Sequence, residues 1–367
     1  MSAGAVGAAP VAARHRDALR RWLVSAALPV PQDEAEAACL VEAAREQRLV
    51  SLLRAAVEAT DGEEWPRAVR DRLADEDRRL LVRGVGQLDL AARVEALLAA
   101  RGLRTLPLKG AALAESLYAS PAERPMADVD TLALDDWPSS VRALDEAGFE
   151  CAERADHAWS FIDPVTRGLV ELHRSLTSCG EVFGLDAEAL WRRARPASGQ
   201  VRRVPSSEDL LVQIAQHALF QHAGVLWLVQ WLDLRRLLER DPPDLTRLAA
   251  AAHDPRAARC VRAALSAANA IVGAPACPEW PAEPPLPSPL RRWVEQVRRD
   301  PLVAVTPAPP PLVRLRWALA AGRRWPLIRA TLRPPEGGGT VTSVGSASAV
   351  VRRAAGLVRR WGTSVLR

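Results

Sequence analysis

Residues 106–134, "LPLKGAALAESLYASPAERPMADVDTLAL", contain the only lysine of the chain, Lys109, and its only tyrosine, Tyr118. The other 48 of the 49 basic residues are arginines. Abundant alanine, arginine, leucine and proline suggest a GC-rich coding sequence, in which most arginines stand where any cation would serve. Lysine is a compact point charge on a flexible stem, whereas arginine presents a broad planar fork. Lys109 is therefore expected at a position where the shape of the cation matters; the alternative is a lysine that remains by chance.

The spacing of apolar residues changes from a helical to a strand rhythm at this stretch. "LRTLPL" predicts a short strand, and "KGAALAESLY" predicts a helix that starts at Gly110. "MADVDTLAL" alternates as a strand does, and "DDWPSSVRALDEAG" predicts a helix that ends at Gly148. "FECAER", "AWSFID" and "LVELHRSL" predict three more short strands. The stretch and its continuation predict a small core in which helices pack on a mixed sheet.

Helical periodicity on both sides of this core predicts an α+β fold. Apolar residues recur every three or four positions up to Gly102, and again from Ser206, which with Asp209 is typical of a helix start. At 367 residues the chain is long enough for several units with their own cores. We predict an N-terminal helical segment (1–102), the α+β core (103–200), a helical domain (201–333), a flexible linker (334–349) and a basic amphipathic tail (350–367).

The composition argues against several classes of protein. With 49% hydrophobic and 25% charged residues, the chain has the profile of a soluble globular protein. Its five cysteines are widely spaced and include no CxxC pair, which indicates ordinary thiols in a reducing cytoplasm. The most apolar stretch, "LLVQIAQHALFQHAGVLWLVQWL", contains four glutamines and two histidines, so no membrane span is predicted. Phosphate-loop, dinucleotide-binding and serine-hydrolase motifs do not occur.

Acidic residues in two predicted strands point to a metal site. "ADVD" places Asp128 and Asp130 two residues apart in a strand, so both carboxylates are expected on one face. Neighbouring anions raise each other's pKa unless a cation intervenes. In "GLVELHRS", Glu171 and His173 share one face, while Val170 and Leu172 take the other. If the two strands are neighbours, Glu171 completes a triad able to hold two Mg²⁺ ions. A chance DxD at a strand end is the alternative.

The same stretch contains groups suited to phosphate. Lys109 and Gly110 lie where a strand passes into a helix, and the free backbone N–H groups of a helix start bind anions. Gly110 lets the backbone approach a phosphate closely. The flexible Lys109 side chain lets its ammonium follow a phosphate as negative charge moves during a reaction. Arg124 precedes Asp128 by four residues and is placed to contact the same phosphates through its fork. These residues predict a site for a metal-bound polyphosphate.

The order "LKGaaL…lY…R…DvDtL", followed by "VELH", resembles the nucleotidyltransferases of the DNA polymerase β superfamily. It is most similar to the bacterial group called uncharacterised nucleotidyltransferases, or nucleotidyltransferase family 5, over roughly residues 15–270. The resemblance implies that Asp128, Asp130 and Glu171 bind two Mg²⁺ ions. Lys109 and Gly110 stand where the wider superfamily usually has glycine followed by serine or glycine.

That resemblance also implies a reaction. A nucleoside monophosphate passes from a nucleoside triphosphate (NTP) to an acceptor oxygen, and pyrophosphate is released. Members of the group are often found among natural-product genes, including those for lasso peptides, so a small molecule or a peptide is the implied acceptor. Lys109, Gly110 and Arg124 would hold phosphate oxygens, and His173 would contact the nucleotide or the metal ligands, or only orient Glu171.

Two other functions remain open from the sequence. A non-catalytic module would keep the fold and use its cleft to bind a nucleotide or a peptide. The segment from Pro311 onward has eleven arginines and one acid, Glu336. This positive charge makes nucleic-acid binding the second of these candidate functions. Few aromatic residues and no known nucleic-acid motif in that segment argue against it. The acceptor, the preferred base and the oligomeric state are not indicated.

Four further residues have two interpretations each. His217 and His222 are five residues apart, which does not match a helical metal pair and favours core or groove histidines. Asp233 either faces the cleft or pairs with an arginine. Tyr118 either stacks on a base or packs its helix against the core.

Overall fold

The computed structural model of the protein describes residues 13–60, 64–155, 157–177, 183–196, 202–276 and 285–305. The predicted linker (334–349), the basic tail (350–367) and the cysteines Cys179 and Cys277 lie outside the described residues. The other three cysteines, Cys39, Cys151 and Cys260, are free thiols.

Five strands form the central sheet, close to where the alternation predicts them. They are β1 (Thr105–Pro107), β2 (Val129–Ala133), β3 (Glu150–Arg154), β4 (Ala158–Ile162) and β5 (Leu169–His173). Their order across the sheet is β1-β2-β5-β4-β3. β2 and β5 run parallel, and the other neighbouring pairs are antiparallel, so the sheet is mixed. A separate two-stranded ribbon joins β6 (Arg195–Pro196) to β7 (Arg203–Val204).

Helices precede and follow the sheet, as the periodicity predicts. The N-terminal ones are α1 (Ala13–Ser25), α2 (Glu34–Glu46), α3 (Val50–Ala59) and α4 (Arg67–Ala99). Those between the strands are α5 (Lys109–Leu117), α6 (Trp137–Glu146) and α7 (Ala187–Arg193). The later ones are α8 (Ser207–Gln216), α9 (Leu228–Arg240), α10 (Leu245–Ala251), α11 (Pro255–Val272) and α12 (Ser288–Arg299), with a π-helical turn (His217–Gln221) after α8.

Local sequence explains where these helices begin and end. Ser206 caps α8 by accepting a hydrogen bond from the backbone N–H of Asp209 at 3.2 Å, as predicted. Asp136 caps α6 in the same way through Ser139 N–H at 2.9 Å. Gly102 and Gly148 follow α4 and α6 with φ of +72° and +83°, a conformation that glycine adopts without a Cβ penalty.

One face of the sheet packs on α4, and the other carries polar groups. The first face buries Val129, Val170 and Leu172 against apolar residues of α4, which are Leu90, Ala91, Val94 and Leu98. Because successive side chains of a strand point to opposite faces, Asp130, Glu171 and His173 lie on the second face. The prediction that Glu171 and His173 share one face is confirmed.

Helices from both ends of the described chain form one apolar core. It includes Leu19 of α1, Leu40 of α2, Leu211 of α8 and Trp231 of α9, all essentially buried. α5 lies between this core and the sheet, since Leu113 and Leu117 face the helices whereas Ala111 and Ala114 belong to the sheet core. The N-terminus of α5 therefore lies at the boundary between the sheet and the helical core.

The architecture is α+β, as predicted. Within the described residues, no helix is both long and apolar enough to cross a membrane. The division into five parts remains a prediction, and the shared helical core joins residues that it assigns to different parts.

Candidate active site

Strand pairing brings together three of the predicted site residues. β2 and β5 are in parallel register with Asp130 opposite Glu171, and His173 lies two residues further along β5. The His173 Nε2 atom is 2.8 Å from Asp130 Oδ1 and 3.3 Å from Glu171 Oε2. One potential ligand atom from each residue lies within 4.8 Å of the others. The sequence predicted this neighbourhood only on condition that the two strands are adjacent, and they are.

Asp128 is placed differently from its prediction. β2 begins at Val129, and the chain still bends at Ala127 and Asp128 after the 3₁₀ turn Pro121–Glu123, so the assignment of Asp128 to the strand is wrong. Asp128 is not in the close group of three, although it lines the same cavity. Burial, followed by the charges of Asp130 and Glu171, raises the pKa of Asp128 from 3.8 to about 6.

The ammonium group of Lys109 lies close to two of the carboxylates, those of Asp130 and Glu171. Its Nζ atom lies 2.6 Å from Asp130 Oδ1 and 3.8 Å from Glu171 Oε2. Burial alone would lower the pKa of Lys109, but the charge of Asp130, with help from Glu171, raises it. Burial alone would raise the pKa of Asp130, but the charge of Lys109 and the hydrogen bond with His173 lower it. The lysine thus compensates carboxylates, and its predicted contact with phosphate remains a prediction.

The backbone around Lys109 is unusual. Lys109 has φ +45°, a left-handed conformation that costs a non-glycine residue roughly 1–2 kcal/mol. At Gly110, an added Cβ would lie 2.5 Å from the Cγ atom of Met126, so the glycine allows α5 to pass close under Met126. Gly110 also lines the cavity. The strand-to-helix junction is therefore strained and closely packed beside the acidic group.

Arg124 is engaged by a carboxylate. It lines the cavity, yet its Nε is 2.8 Å from Asp233 Oδ1 and its Nη2 is 2.8 Å from Asp233 Oδ2. The hydroxyl of Tyr118 donates to the same carboxylate at 2.6 Å. All three side chains are buried. Both interpretations of Asp233 hold, because it lines the cavity and also pairs with an arginine, Arg124. Tyr118 packs inside, buried beside Asp233, as the second interpretation of this residue predicts.

A cavity of about 370 Å³ joins these groups to residues that the sequence did not single out. The additional lining residues include Arg48, between α2 and α3, and Trp227 and Gln230, at the start of α9. The guanidinium of Arg48 stacks 3.7 Å from the centre of the Trp227 ring. Helical periodicity gives no signal for this contact, because it depends on how helices from distant parts of the chain pack.

The two histidines of the π-helical turn region also line the cavity. His217 Nε2 is hydrogen-bonded to His222 Nε2 at 3.1 Å. Burial, with the charges of Lys109 and His222, lowers the pKa of His217 well below its ordinary value, which keeps the ring neutral. The expectation of satisfied groove histidines agrees with this arrangement.

The donor set fits a hard divalent cation. Four carboxylates and three lysine or arginine side chains line the described cavity, namely Asp128, Asp130, Glu171 and Asp233 with Arg48, Lys109 and Arg124. Burial, followed by the charges of Asp130 and Glu171, keeps the pKa of Asp128 raised although Lys109 and Arg48 act in the opposite direction. Carboxylate oxygens are the ligands that Mg²⁺ prefers. Asp130, Glu171 and His173 are the residues whose potential ligand atoms lie close enough together to hold a metal ion, and Asp128 lines the same cavity.

Comparison with known proteins gives a family match. A model of the family described as "Uncharacterised nucleotidyltransferase" matches residues 33–273, which include every residue of the site. No curated protein matches this chain.

Two solved structures are similar to parts of the chain. The solution structure of the antibiotic-resistance factor ANT(2'')-Ia has a TM-score of 0.33 and 14% identity, covering 42% of this chain and 84% of its own. A crystal structure of an antigenic nucleotidyltransferase-like protein from Paracoccidioides brasiliensis has a TM-score of 0.28 and 18% identity, covering 49% and 91%. At these scores neither structure bears on the activity of this chain.

Proposed function

Because the chain belongs to the family of uncharacterised nucleotidyltransferases, we propose that it transfers a nucleoside monophosphate from an NTP to an acceptor oxygen in a Mg²⁺-dependent reaction. The observation that carries this proposal is the parallel pairing of β2 and β5. It sets Asp130 beside Glu171 in a cavity that Asp128 and Lys109 also line. These residues supply oxygen ligands for a hard cation and an ammonium for phosphate.

The proposed reaction is a single displacement at the α-phosphorus. The acceptor oxygen forms a bond to the α-phosphorus, the bond to the bridging oxygen of the β-phosphate breaks, and pyrophosphate leaves. Asp128, Asp130 and Glu171 would hold Mg²⁺, which would supply positive charge to offset the negative charge that develops in the reaction. Glu171 accepts the proton of the acceptor hydroxyl, and its half-buried position at the cavity wall leaves it accessible.

The remaining residues position these groups. His173 is buried, and its Nε2 contacts both Asp130 and Glu171, so it fixes the two carboxylates relative to each other. Lys109 and Gly110, at the start of α5, hold phosphate oxygens beside Asp130. The strained φ of Lys109 is accounted for if its ammonium must reach the reacting phosphate.

The proposed acceptor is the hydroxyl of a small molecule or a peptide, in the modification of a natural product. The cavity of about 370 Å³ lies within the usual size range for a small-molecule site.

One observation favours a second function, non-catalytic binding of a nucleotide or a peptide. Lys109 and His173 already compensate Asp130, so this buried carboxylate does not depend on a metal for its charge balance. For this second function, the cavity binds a nucleotide or a peptide and does not catalyse nucleotidyl transfer.

Turnover measurements separate the two functions. The protein and an Asp128→Asn/Asp130→Asn variant are incubated with each NTP, Mg²⁺ and a panel of hydroxylated small molecules and peptides, and pyrophosphate is measured. Nucleotidyl transfer predicts pyrophosphate and an equal amount of nucleotidylated acceptor from the parent, and neither from the variant. Nucleotide binding by the parent without pyrophosphate across the panel supports the binding module.

A further inference from the structure

The cavity contains three arginine or lysine side chains within the described residues, and two of them are committed to carboxylates. Lys109 lies 2.6 Å from Asp130, and Arg124 is bound to Asp233 through Nε and Nη2. A phosphate at Arg124 would have to displace Asp233, and a phosphate at Lys109 would share an ammonium that already contacts Asp130. The remaining cation is Arg48.

Arg48 has a different set of contacts. Within the described chain it forms no ion pair shorter than 4.0 Å. One Nη1 hydrogen bond reaches the backbone oxygen of Pro125 at 3.5 Å and uses one of the five N–H donors of the guanidinium. The guanidinium carbon lies 3.7 Å from the centre of the ring of Trp227, a residue that is 40% exposed. This cation–π contact holds the guanidinium in place and uses none of its N–H donors, so the remaining donors are available to an anion.

The backbone at Arg48 is strained in the same way as at Lys109. The described chain has five non-glycine residues with positive φ, and two of them, Arg48 (+58°) and Lys109 (+45°), line the cavity. At the turn between α2 and α3 a glycine would adopt this φ without strain. An arginine in this strained conformation indicates that its side chain has a functional role, because backbone strain persists where the structure and function require it.

Electrostatics at Arg48 favour an anion. Burial, followed by the charge of Arg124, lowers the pKa of Arg48 from 12.5 to about 10, while Asp128 acts in the opposite direction. The lowered pKa mainly reflects a guanidinium that is shielded from water, and this burial cost is not fully offset by nearby carboxylates. An anionic phosphate bound beside Arg48 would stabilise its charged form.

Position along the cavity decides which phosphate this is. The transferred α-phosphate must lie at Asp130 and Glu171, and Arg48 contacts neither within 4.0 Å. Its contacts are with Pro125 and Trp227, on the side where α9 begins. The leaving half of a triphosphate would extend in this direction.

We propose that Arg48, held by its contact with the Trp227 ring, binds oxygens of the β- and γ-phosphates of the NTP and so supports the pyrophosphate leaving group. This assignment rests on the proposed function. It gives Arg48 the phosphate contact that the sequence suggested for Arg124.

Calorimetric titration tests the proposal with the full chain. Inorganic tripolyphosphate and each NTP, both with Mg²⁺, are titrated into the parent, Arg48→Gln and Arg79→Gln. Arg79 is an exposed arginine of α4 that does not line the cavity, so its variant is matched in net charge. We expect Arg48→Gln to weaken tripolyphosphate and NTP binding roughly tenfold to a hundredfold, the range for a lost charge-assisted contact. Arg79→Gln should bind as the parent does.

The outcomes separate this inference from the function it rests on. Equal affinities of parent and Arg48→Gln overturn the role of Arg48 and leave the proposed function intact. If the parent binds neither ligand, both fail. Thermal melting checks the variants first. If Arg48→Gln does not fold, Arg48→Lys replaces it. Lysine keeps the charge and loses the fork, so at least a threefold loss is expected, and unchanged affinity overturns the proposal.

Discussion

Replacing Asp233 by asparagine should destabilise the protein strongly, because it leaves Arg124 buried without a counter-ion. The two side chains are only 6% and 2% exposed, and three contacts of 2.8–2.9 Å join them. Removing one partner of a buried ion pair costs about 3–5 kcal/mol. At roughly 2–4 °C per kcal/mol for a chain of this size class, the melting temperature should fall by roughly 6–20 °C.

The assay is thermal and urea unfolding, with a matched control. Asp75→Asn makes the same chemical change in an exposed pair with Arg78, and we expect it to cost less than about 1 kcal/mol. A double variant, Arg124→Met with Asp233→Leu, removes both charges and should recover most of the lost stability. Tyr118→Phe should cost about 1.5–3 kcal/mol, the value of a hydrogen bond to a charged group.

One result would refute this reasoning. Arg124 could instead serve as a phosphate ligand whose contact with Asp233 adds little stability. In that case Asp233→Asn should change the melting temperature no more than Asp75→Asn does. It should then also tighten NTP binding, because the arginine is released. That combination would return the phosphate contact to Arg124.

Three further changes test the region around the site. Lys109→Arg keeps the charge but not the slim ammonium, so NTP affinity with Mg²⁺ should fall roughly tenfold; a normal affinity contradicts the argument from cation shape. Gly110→Ala puts a Cβ 2.5 Å from the Met126 Cγ and should cost about 1–3 kcal/mol in urea unfolding, largely recovered with Met126→Ala; equal stability of parent and single variant would contradict this. Burial raises the pKa of Glu95 from 4.5 to about 7 against the opposing charge of Arg202, so the unfolded chain loses this proton first as pH rises. Stability should therefore fall by about 3 kcal/mol between pH 4.5 and 7, and Glu95→Gln should flatten this profile; parallel profiles would refute it.

Strand alternation gave the most reliable predictions for this protein. A period of two is a local property, so it placed Glu171 and His173 on one face before any strand pairing was known. The helix of Lys109 starts one residue earlier than predicted, which is within the usual uncertainty of helix ends. Asp128 was placed in a strand because the alternation of "MADVDTLAL" includes it, but pairing begins only at Val129.

Side-chain contacts between segments that are distant in the sequence could not be predicted from local patterns. A planar guanidinium suits a carboxylate and a phosphate equally well, so nothing in the pattern around Arg124 distinguishes Asp233 from a nucleotide. Arg48 and Trp227 lie in helical segments that are far apart in the sequence and are brought together by packing, including a hydrogen bond from Leu228 N–H to Gln47 Oε1. Long-range packing of this kind leaves no periodic signal in either segment.

The central claim is that the cavity beside β2 and β5 is a metal–triphosphate site. Calorimetric titration of each NTP, with and without Mg²⁺, into the parent and the Asp128→Asn/Asp130→Asn variant tests it most directly. We predict binding by the parent that requires Mg²⁺ and is lost in a variant that still melts cooperatively. Binding that is the same with and without Mg²⁺, and the same in the variant, would contradict the claim.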